Sequence, residues 1–172
     1  MRPPTVSTAL PEPAAAALAH SERLTDLIRR ELTEQGGAVP FDRFMELALY
    51  APGLGYYVAG SRKLGAEGDF VTAPEISPLF GRCLARQCVL VLEGVGGGDI
   101  LEFGAGSGAL ARVLLEELDR LECLPGRYLI LEPSPELRGR QQELLAGLEP
   151  GLAQRVQWLD RPAQGLRGVV LA

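Results

Sequence analysis

Residues 99–108 read DILEFGAGSG, and this stretch decides the fold class. Its first half is a short apolar segment of the kind that a buried strand needs, and its glycines allow the backbone to turn sharply afterwards. Residues 109–121 then place leucine and valine side chains at helical spacing on one face. A strand, a glycine turn and a helix in this order suit the binding of an adenosine-containing cofactor, because the free N–H groups and the positive dipole end of the helix face the turn.

Strand and helix patterns continue to alternate downstream. Residues 128–131 (YLIL) and 156–159 (VQWL) have the length and apolarity of strands, and residues 135–148 have a helical pattern between them. Residues 169–172 (VVLA) begin a fourth strand. The alternation predicts an α/β fold with a doubly wound parallel sheet and right-handed crossovers. Since a parallel strand normally runs on into a ligand-binding loop, we expect an N-terminal portion of a longer protein, truncated after the fourth strand.

Composition shifts along the chain predict three segments. Residues 1–19 are rich in proline and alanine without sustained periodicity, which predicts a disordered tail. Residues 20–97 carry helical patterns and a glycine-rich stretch, which predict an N-terminal helical and loop extension. Residues 98–172 then form the first part of the α/β domain.

Three helices are expected within the extension. Ser21 caps the first, the second begins near Pro40, and Ser77 followed by proline caps the third. Residues 53–76 between the second and third helices predict a loop and a hairpin. The side chains of the third helix expected to face the core are Phe80, Cys83, Leu84 and Val91.

Charge and residue counts exclude several classes of function. The 172 residues carry 17 Lys and Arg against 22 Asp and Glu, and the net charge of −5 argues against a nucleic-acid-binding surface. No apolar run approaches the roughly 20 residues of a membrane-spanning helix. The three cysteines form no CxxC pair and His20 is the single histidine. We therefore expect neither a metal site nor a histidine-dependent nucleophile.

Two cofactor classes fit the glycine turn. Gly104, Gly106 and Ala109 satisfy the G-x-G-x-x-G/A pattern of nicotinamide-binding folds. Glu102, Gly104, Gly106 and Gly108 satisfy the acidic-x-G-x-G-x-G pattern of S-adenosyl-L-methionine-binding proteins. A carboxylate at Glu102 suits a cation with a sulfonium and an ammonium group and would repel a pyrophosphate. S-adenosyl-L-methionine is therefore favoured.

Acidic residues also follow the second and third strands. Glu132 comes directly after the second strand, where a carboxylate can accept hydrogen bonds from both ribose hydroxyls. Asp160 ends the third strand and is expected to meet the adenine amino group.

A more specific signal lies upstream of the sheet. Residues 44–57 (FMELALYAPGLGYY) and 65–81 (GAEGDFVTAPEISPLFG), followed by LEFGAGSG and LILEPSPELR, resemble the MidA-like methyltransferases over roughly residues 22–172. This family includes the mitochondrial complex I assembly methyltransferase and many bacterial relatives. The resemblance implies a class I, Rossmann-like methyltransferase fold with an N-terminal helical addition. It also implies S-adenosyl-L-methionine as cofactor and methylation of a protein arginine in respiratory complex I.

The resemblance further implies roles for individual residues. The family's glycine loop falls on Gly104, Gly106 and Gly108, and its ribose-binding acid falls on Glu132. Its motif before the sheet, placed beside the methionine end of the cofactor or the acceptor channel, falls on Gly68, Asp69, Phe70, Thr72, Pro74, Glu75 and Ser77. Glu75 is the candidate for holding the acceptor guanidinium. The predicted cofactor-binding residues are Glu102, Gly104, Ala105, Gly106, Gly108, Glu132, Pro133, Ser134, Asp160, Thr72 and Ser77.

The implied partner is a protein substrate, with a respiratory complex I subunit as the leading case. Bacterial cytoplasm is the expected location, or the mitochondrion if the protein is eukaryotic.

Two other functions stay open, an NAD-dependent oxidoreductase and a non-catalytic assembly or scaffold protein that retains the fold. The family continues into a C-terminal half that is expected to supply part of the acceptor site. We therefore expect these 172 residues alone to be inactive.

Overall fold

The computed structural model describes residues 12–59 and 71–172. The chain divides into two compact units, Met1–Tyr56 and Tyr57–Ala172. The sequence predicted that the α/β domain begins at residue 98. The motif residues Gly68, Asp69 and Phe70 lie outside the described residues, as do the first 11 residues of the predicted tail.

Residues 12–56 of the first unit contain two helices, α1 (Ala15–Glu34) and α2 (Phe41–Tyr50). The prediction that residues 15–19 belong to a disordered tail is wrong, because α1 already includes them. The residues there are mostly alanines, which have the highest intrinsic helix propensity, and they extend the helix ahead of Ser21.

The second unit contains a four-stranded sheet. Its order is β3-β2-β1-β4, with every pair parallel, which confirms the predicted α/β class. Phe103 lies opposite Leu131, and Leu131 lies opposite Leu159, so the carboxyl ends of three strands are level. The strands are β1 (Asp99–Phe103), β2 (Tyr128–Leu131), β3 (Val156–Leu159) and β4 (Gly168–Leu171).

Within the described residues 57–59 and 71–172, five helices accompany this sheet. None of the described residues in 53–59 and 71–76 is a strand, so no part of the predicted hairpin is found there. The predicted helix 135–148 ends three residues early, and a second short helix begins at Pro150, because proline suits a first helical turn. The helices are α3 (Ala73–Ile76), α4 (Pro78–Gly94), α5 (Ala109–Arg120), α6 (Pro135–Leu145) and α7 (Pro150–Ala153).

The main core lies between one face of the sheet and the helices. Leu114 and Leu118 of α5 are fully buried against Ile100 of β1 and Ile130 of β2. The right-handed connections from β1 to β2 and from β2 to β3 put their helices on this face. The connection from β3 to β4, residues 160–167, contains no helix.

The inward face of α4 differs from the prediction, except that Leu84 packs against the core as expected. Phe80 and Val91 are exposed, and Cys83 is exposed while Cys88 is buried. The buried residues of this helix are Gly81, Ala85, Cys88 and Leu92. The prediction from the hydrophobic pattern favoured large apolar side chains as the buried ones. Close packing between two helices instead places small residues, such as Gly81 and Ala85, at the contact.

Gly81 shows how close this packing is. A Cβ atom added at Gly81 would lie 2.7 Å from Cγ1 and 3.0 Å from Cβ of Val113 on α5. The Val113 Cβ is attached to the backbone, so it cannot move away unless the helix moves. Glycine at this position therefore sets the distance between α4 and α5.

Gly81→Ala should destabilise the chain, whereas Gly94→Ala on the same helix should stabilise it. A Cβ atom at Gly94 meets nothing within 4 Å, so alanine there gains about 0.5–1 kcal/mol of helix propensity. At Gly81 the overlap with Val113 should lower the free energy of unfolding by about 1–3 kcal/mol. Urea denaturation of both variants measures this. Equal effects of the two substitutions would show that α4 and α5 are not in close contact.

Candidate functional site

The loop after β1 is built from glycines in the left-handed region. The φ angles are +62° at Gly104, +57° at Gly106 and +87° at Gly108. L-residues with a side chain rarely adopt these angles, so the local backbone requires glycine at these three positions. The N–H of Gly104 donates to the carbonyl of Leu131 at 3.0 Å, which joins the loop to the end of β2. A Cβ atom at Gly104 would meet nothing within 4 Å, so the space above the loop is open.

Glu132 lies beside this loop with its carboxylate held by two donors. The residue is 4% exposed. Its Oε1 accepts the N–H of Ser134 at 2.9 Å, and its Oε2 accepts Nε2 of Gln141 at 3.2 Å. Burial raises the pKa of Glu132, and these two hydrogen bonds oppose the rise. A carboxylate has about four acceptor positions, so one remains on each oxygen, which suits the two hydroxyls of a ribose.

Glu102, at the end of β1, is also buried but has a different partner. The residue is 5% exposed, and its Oε2 accepts the hydroxyl of Tyr128 at 2.7 Å. Burial raises the pKa of Glu102 to about 7; the Tyr128 hydrogen bond lowers it and the nearby Glu132 raises it further. Without a cationic partner, Glu102 is therefore largely protonated below neutral pH.

Glu75 reaches the same loop from α3. Its Oε1 accepts a hydrogen bond from the hydroxyl of Ser107, and the Ser107 Oγ accepts the N–H of Ala109 at 3.2 Å. Ser107 thus connects the carboxylate of Glu75 to the first turn of α5. This contact joins the motif before the sheet to the glycine loop.

Two of the residues predicted to contact the cofactor, Ser134 and Ser77, have side chains that are hydrogen-bonded to the protein backbone. Ser134 caps α6 by accepting the N–H of Leu137 at 3.3 Å, and it donates to the carbonyl of Tyr57 at 3.0 Å. Ser77 caps α4 by accepting the N–H of Leu79 at 3.2 Å. The cap predicted at Ser77 is confirmed. Contacts of either serine with a cofactor stay predictions.

The remaining predicted residues differ in their exposure to solvent. The side chain of Asp160 is 86% exposed and forms an ion pair with Arg138 at 2.8 Å. Thr72 and Pro133 are exposed, and Ala105 is buried in the loop. Contacts of these residues with a cofactor also stay predictions.

Sequence reasoning missed Gln141. This residue is fully buried, and its side chain contacts Gly106 and Glu132. It occupies the inward stripe of α6 between two leucines, Leu137 and Leu145. A polar residue in an apolar stripe at i, i+4 and i+8 was the available signal.

The residues around the loop fit S-adenosyl-L-methionine. The carboxylates of Glu75 and Glu132 lie at the loop, Glu75 through its bond with Ser107 and Glu132 through Gln141, so the site has a negative field that suits a sulfonium and an ammonium group. Within residues 12–59 and 71–172, no cluster of His, Cys, Asp and Glu is arranged to hold a metal ion. In the same residues no helix has the length and apolarity needed to cross a membrane.

Comparison with known proteins finds methyltransferases. The profile of a family described as "Putative S-adenosyl-L-methionine-dependent methyltransferase" matches residues 83–172. A likely methyl transferase from Burkholderia thailandensis, bound to S-adenosyl-homocysteine, superposes with a TM-score of 0.83. It is 48% identical, and the match covers 94% of this chain and 43% of that one. A native crystal structure of an uncharacterised protein from the same organism superposes with a TM-score of 0.77 at 48% identity, over 94% of this chain and 41% of that one.

The curated relatives are named as arginine methyltransferases. "Protein arginine methyltransferase NDUFAF7, mitochondrial" of Danio rerio is 37% identical over 118 residues, which are 64% of this chain and 28% of that protein. The Xenopus laevis protein of the same name is 34% identical over 124 residues, covering 64% of this chain and 27% of that protein. The match therefore spans less than a third of the length of these curated relatives.

Glu102→Gln should make the stability of the chain less sensitive to pH. Glu102 has a folded pKa of about 7 against an ordinary value of 4.5. The folded state thus binds more protons than the unfolded state between these values, and stability falls as pH rises through them. Glutamine keeps the acceptor for Tyr128 and removes the ionisation. Relative to the parent, the variant should gain roughly 2–3 kcal/mol between pH 5 and pH 8.

Urea denaturation across this pH range measures the gain, and Glu143→Gln, at an exposed position of α6, is the control. A difference between Glu102→Gln and the parent that does not change with pH would contradict the raised pKa of Glu102.

Proposed function

Because this chain belongs to the family of putative S-adenosyl-L-methionine-dependent methyltransferases, we propose that the protein methylates an arginine side chain of a protein substrate. The observation that carries this proposal is the buried carboxylate of Glu132 beside a glycine loop with three left-handed residues. The carboxylate can accept hydrogen bonds from a diol, and the glycine loop offers a backbone surface without side chains. Both lie at the same edge of the sheet.

The bound cofactor supplies a methyl group on a cationic sulfur. Gly104 allows the cofactor to approach the backbone, since no Cβ atom occupies the open space above the loop. Glu132 offers one free acceptor position on each carboxylate oxygen to the ribose diol. Glu102 contributes negative charge once a cation nearby favours its ionised form. Alignment of donor and acceptor is the main contribution that such a site makes to the transfer.

Glu75 is our candidate for holding the acceptor guanidinium. An arginine side chain stays protonated at neutral pH, so a carboxylate can bind it and orient the reacting nitrogen. The hydrogen bond from Ser107 supports this role, because it places the Glu75 carboxylate at the glycine loop.

The names of the curated relatives support arginine as the acceptor, and the resemblance to complex I assembly methyltransferases supports a respiratory complex I subunit as the substrate. Identity to the Burkholderia chains, at 48%, exceeds the 37% identity to the fish protein. We therefore propose a bacterial cytoplasmic enzyme.

Two measurements on the complete encoded protein test this function. Calorimetry should detect binding of S-adenosylhomocysteine and no binding of NAD; the reverse result would favour the oxidoreductase. The second measurement incubates the protein with methyl-labelled S-adenosylmethionine and an extract of cells that lack its gene. The label should appear in methylarginine after hydrolysis. Cofactor binding without any protein labelling would favour the scaffold function.

Gly104→Ala should weaken binding of S-adenosylhomocysteine at least about tenfold, or ~1.4 kcal/mol. The new methyl group would occupy the open space above the loop. Gly165→Ala is a matched control, because Gly165 has a φ of +65° and an added Cβ there also meets nothing within 4 Å. The backbone strain that alanine causes at a positive φ is thus similar at both positions. Only the methyl group at position 104 should interfere with ligand binding. Calorimetry in which both variants bind equally well would show that the loop is structural only.

Glu75→Gln should lower the rate of methyl transfer roughly 100-fold. Glutamine can still accept the hydrogen bond of Ser107, but it lacks the charge that holds a guanidinium. The affinity for S-adenosylhomocysteine should change less than about threefold. The control is Glu93→Gln, an exposed carboxylate near the end of α4. An unchanged transfer rate in Glu75→Gln would remove Glu75 from the acceptor site.

A further inference from the structure

Gln141 contacts three segments that are distant in sequence. Its Nε2 donates to the carbonyl of Gly106 at 3.0 Å and to Oε2 of Glu132 at 3.2 Å. Its Oε1 accepts the indole N–H of Trp158 at 2.9 Å. These partners lie in the glycine loop, directly after β2, and in β3.

The bond to Trp158 decides which way the amide points. An indole nitrogen only donates, so it must meet the amide oxygen of Gln141. The two donors of the amide are then directed toward Gly106 and Glu132, both of which present acceptors. Each polar atom of the buried side chain has a partner, and the reverse orientation of the amide would place oxygen against oxygen.

This arrangement couples the two parts of the cofactor site. A single nitrogen holds both a carbonyl of the glycine loop and a carboxylate oxygen of Glu132, which limits the distance between them. The other oxygen of Glu132 is held by the N–H of Ser134 at 2.9 Å. The carboxylate of Glu132 therefore has a defined plane, which recognition of two adjacent hydroxyls requires.

We propose that Gln141 is a positioning residue of the cofactor site, which orients the Glu132 carboxylate toward the ribose diol and keeps it in register with the glycine loop. The inference rests on the proposed function, because it assumes that the ligand carries a ribose. Gln141 itself would not contact the ligand, since all its polar atoms are already bonded within the protein. Its effect on binding should therefore act through Glu132.

The test uses Gln141→Met and Gln142→Met in the complete encoded protein. Methionine has a similar length and packs well in a core, but it lacks the donors and the acceptor of the amide. Gln142 is the adjacent residue of α6 and is exposed. Calorimetry with S-adenosylhomocysteine should show roughly tenfold weaker binding for Gln141→Met and unchanged binding for Gln142→Met. If Gln141→Met does not fold, Gln141→Leu replaces it, because leucine also lacks the donors and the acceptor of the amide and introduces no charge beside Glu132.

A double-mutant cycle with Glu132→Gln separates positioning from general destabilisation. If Gln141 acts through Glu132, the double variant should bind no more than about threefold weaker than the weaker single variant. If the loss of affinity in the double variant equals the product of the two single losses, Gln141 acts independently of Glu132 and the inference is overturned. Wild-type affinity in a folded Gln141 variant would also overturn it. Failure of the parent protein to bind S-adenosylhomocysteine would instead overturn the proposed function, and the inference with it.

Discussion

Parallel pairing of β1 with β2, in the register that sets Phe103 opposite Leu131, is the constraint on which the rest of the site depends. Because both strands end at the same level, the glycine loop and Glu132 begin side by side. The N–H of Gly104 bonds to Leu131 across this junction, so the turn starts from a fixed point on the sheet. Helices α5 and α6 also begin here, and Gln141, in the second turn of α6, donates to the carbonyl of Gly106 in the loop. A shift of one residue in this pairing would move the side chain of Glu102 to the opposite face of the sheet.

Two carboxylates at this edge of the sheet differ in the donors that hold them. Glu132 accepts an N–H group on each oxygen, from Ser134 and from Gln141, and these bonds counteract the rise in its pKa. Glu102 accepts one hydroxyl, from Tyr128, and burial raises its pKa to about 7. Burial of a charge is unfavourable unless the charge is paired and hydrogen-bonded. We therefore infer that Glu132 is the carboxylate organised in advance for a ligand, whereas the charge of Glu102 depends on what binds next to it.

Local patterns identified the strands of the second unit well, missed its short helices α3 and α7, and predicted its packing poorly. The strands at 128–131 and 156–159 have the predicted bounds, because short apolar runs between turn residues allow few other interpretations. The inward face of α4 was predicted correctly at Leu84, which packs against the core, and wrongly at the other three positions, where the exposed side chains include Phe80 and Val91. The start of α1 was also misplaced, because a serine suited to capping lies inside a helix that the preceding alanines extend.

The sequence by itself determined the α/β class, the glycine turn and the acidic residue after β2. The strands and helices follow from apolar side chains that recur every two or 3.6 residues, and the turn follows from the φ angles that glycine allows. The acidic residue is recognised by its place directly after a strand. All of these are local properties of the sequence. Only the tertiary structure brought together Gln141, Gly106, Glu132 and Trp158. It likewise placed Glu75 against Ser107, 32 residues away in sequence. Hydrogen bonds between distant side chains require backbone positions that the sheet register and helix packing set jointly, and no spacing within one segment encodes them.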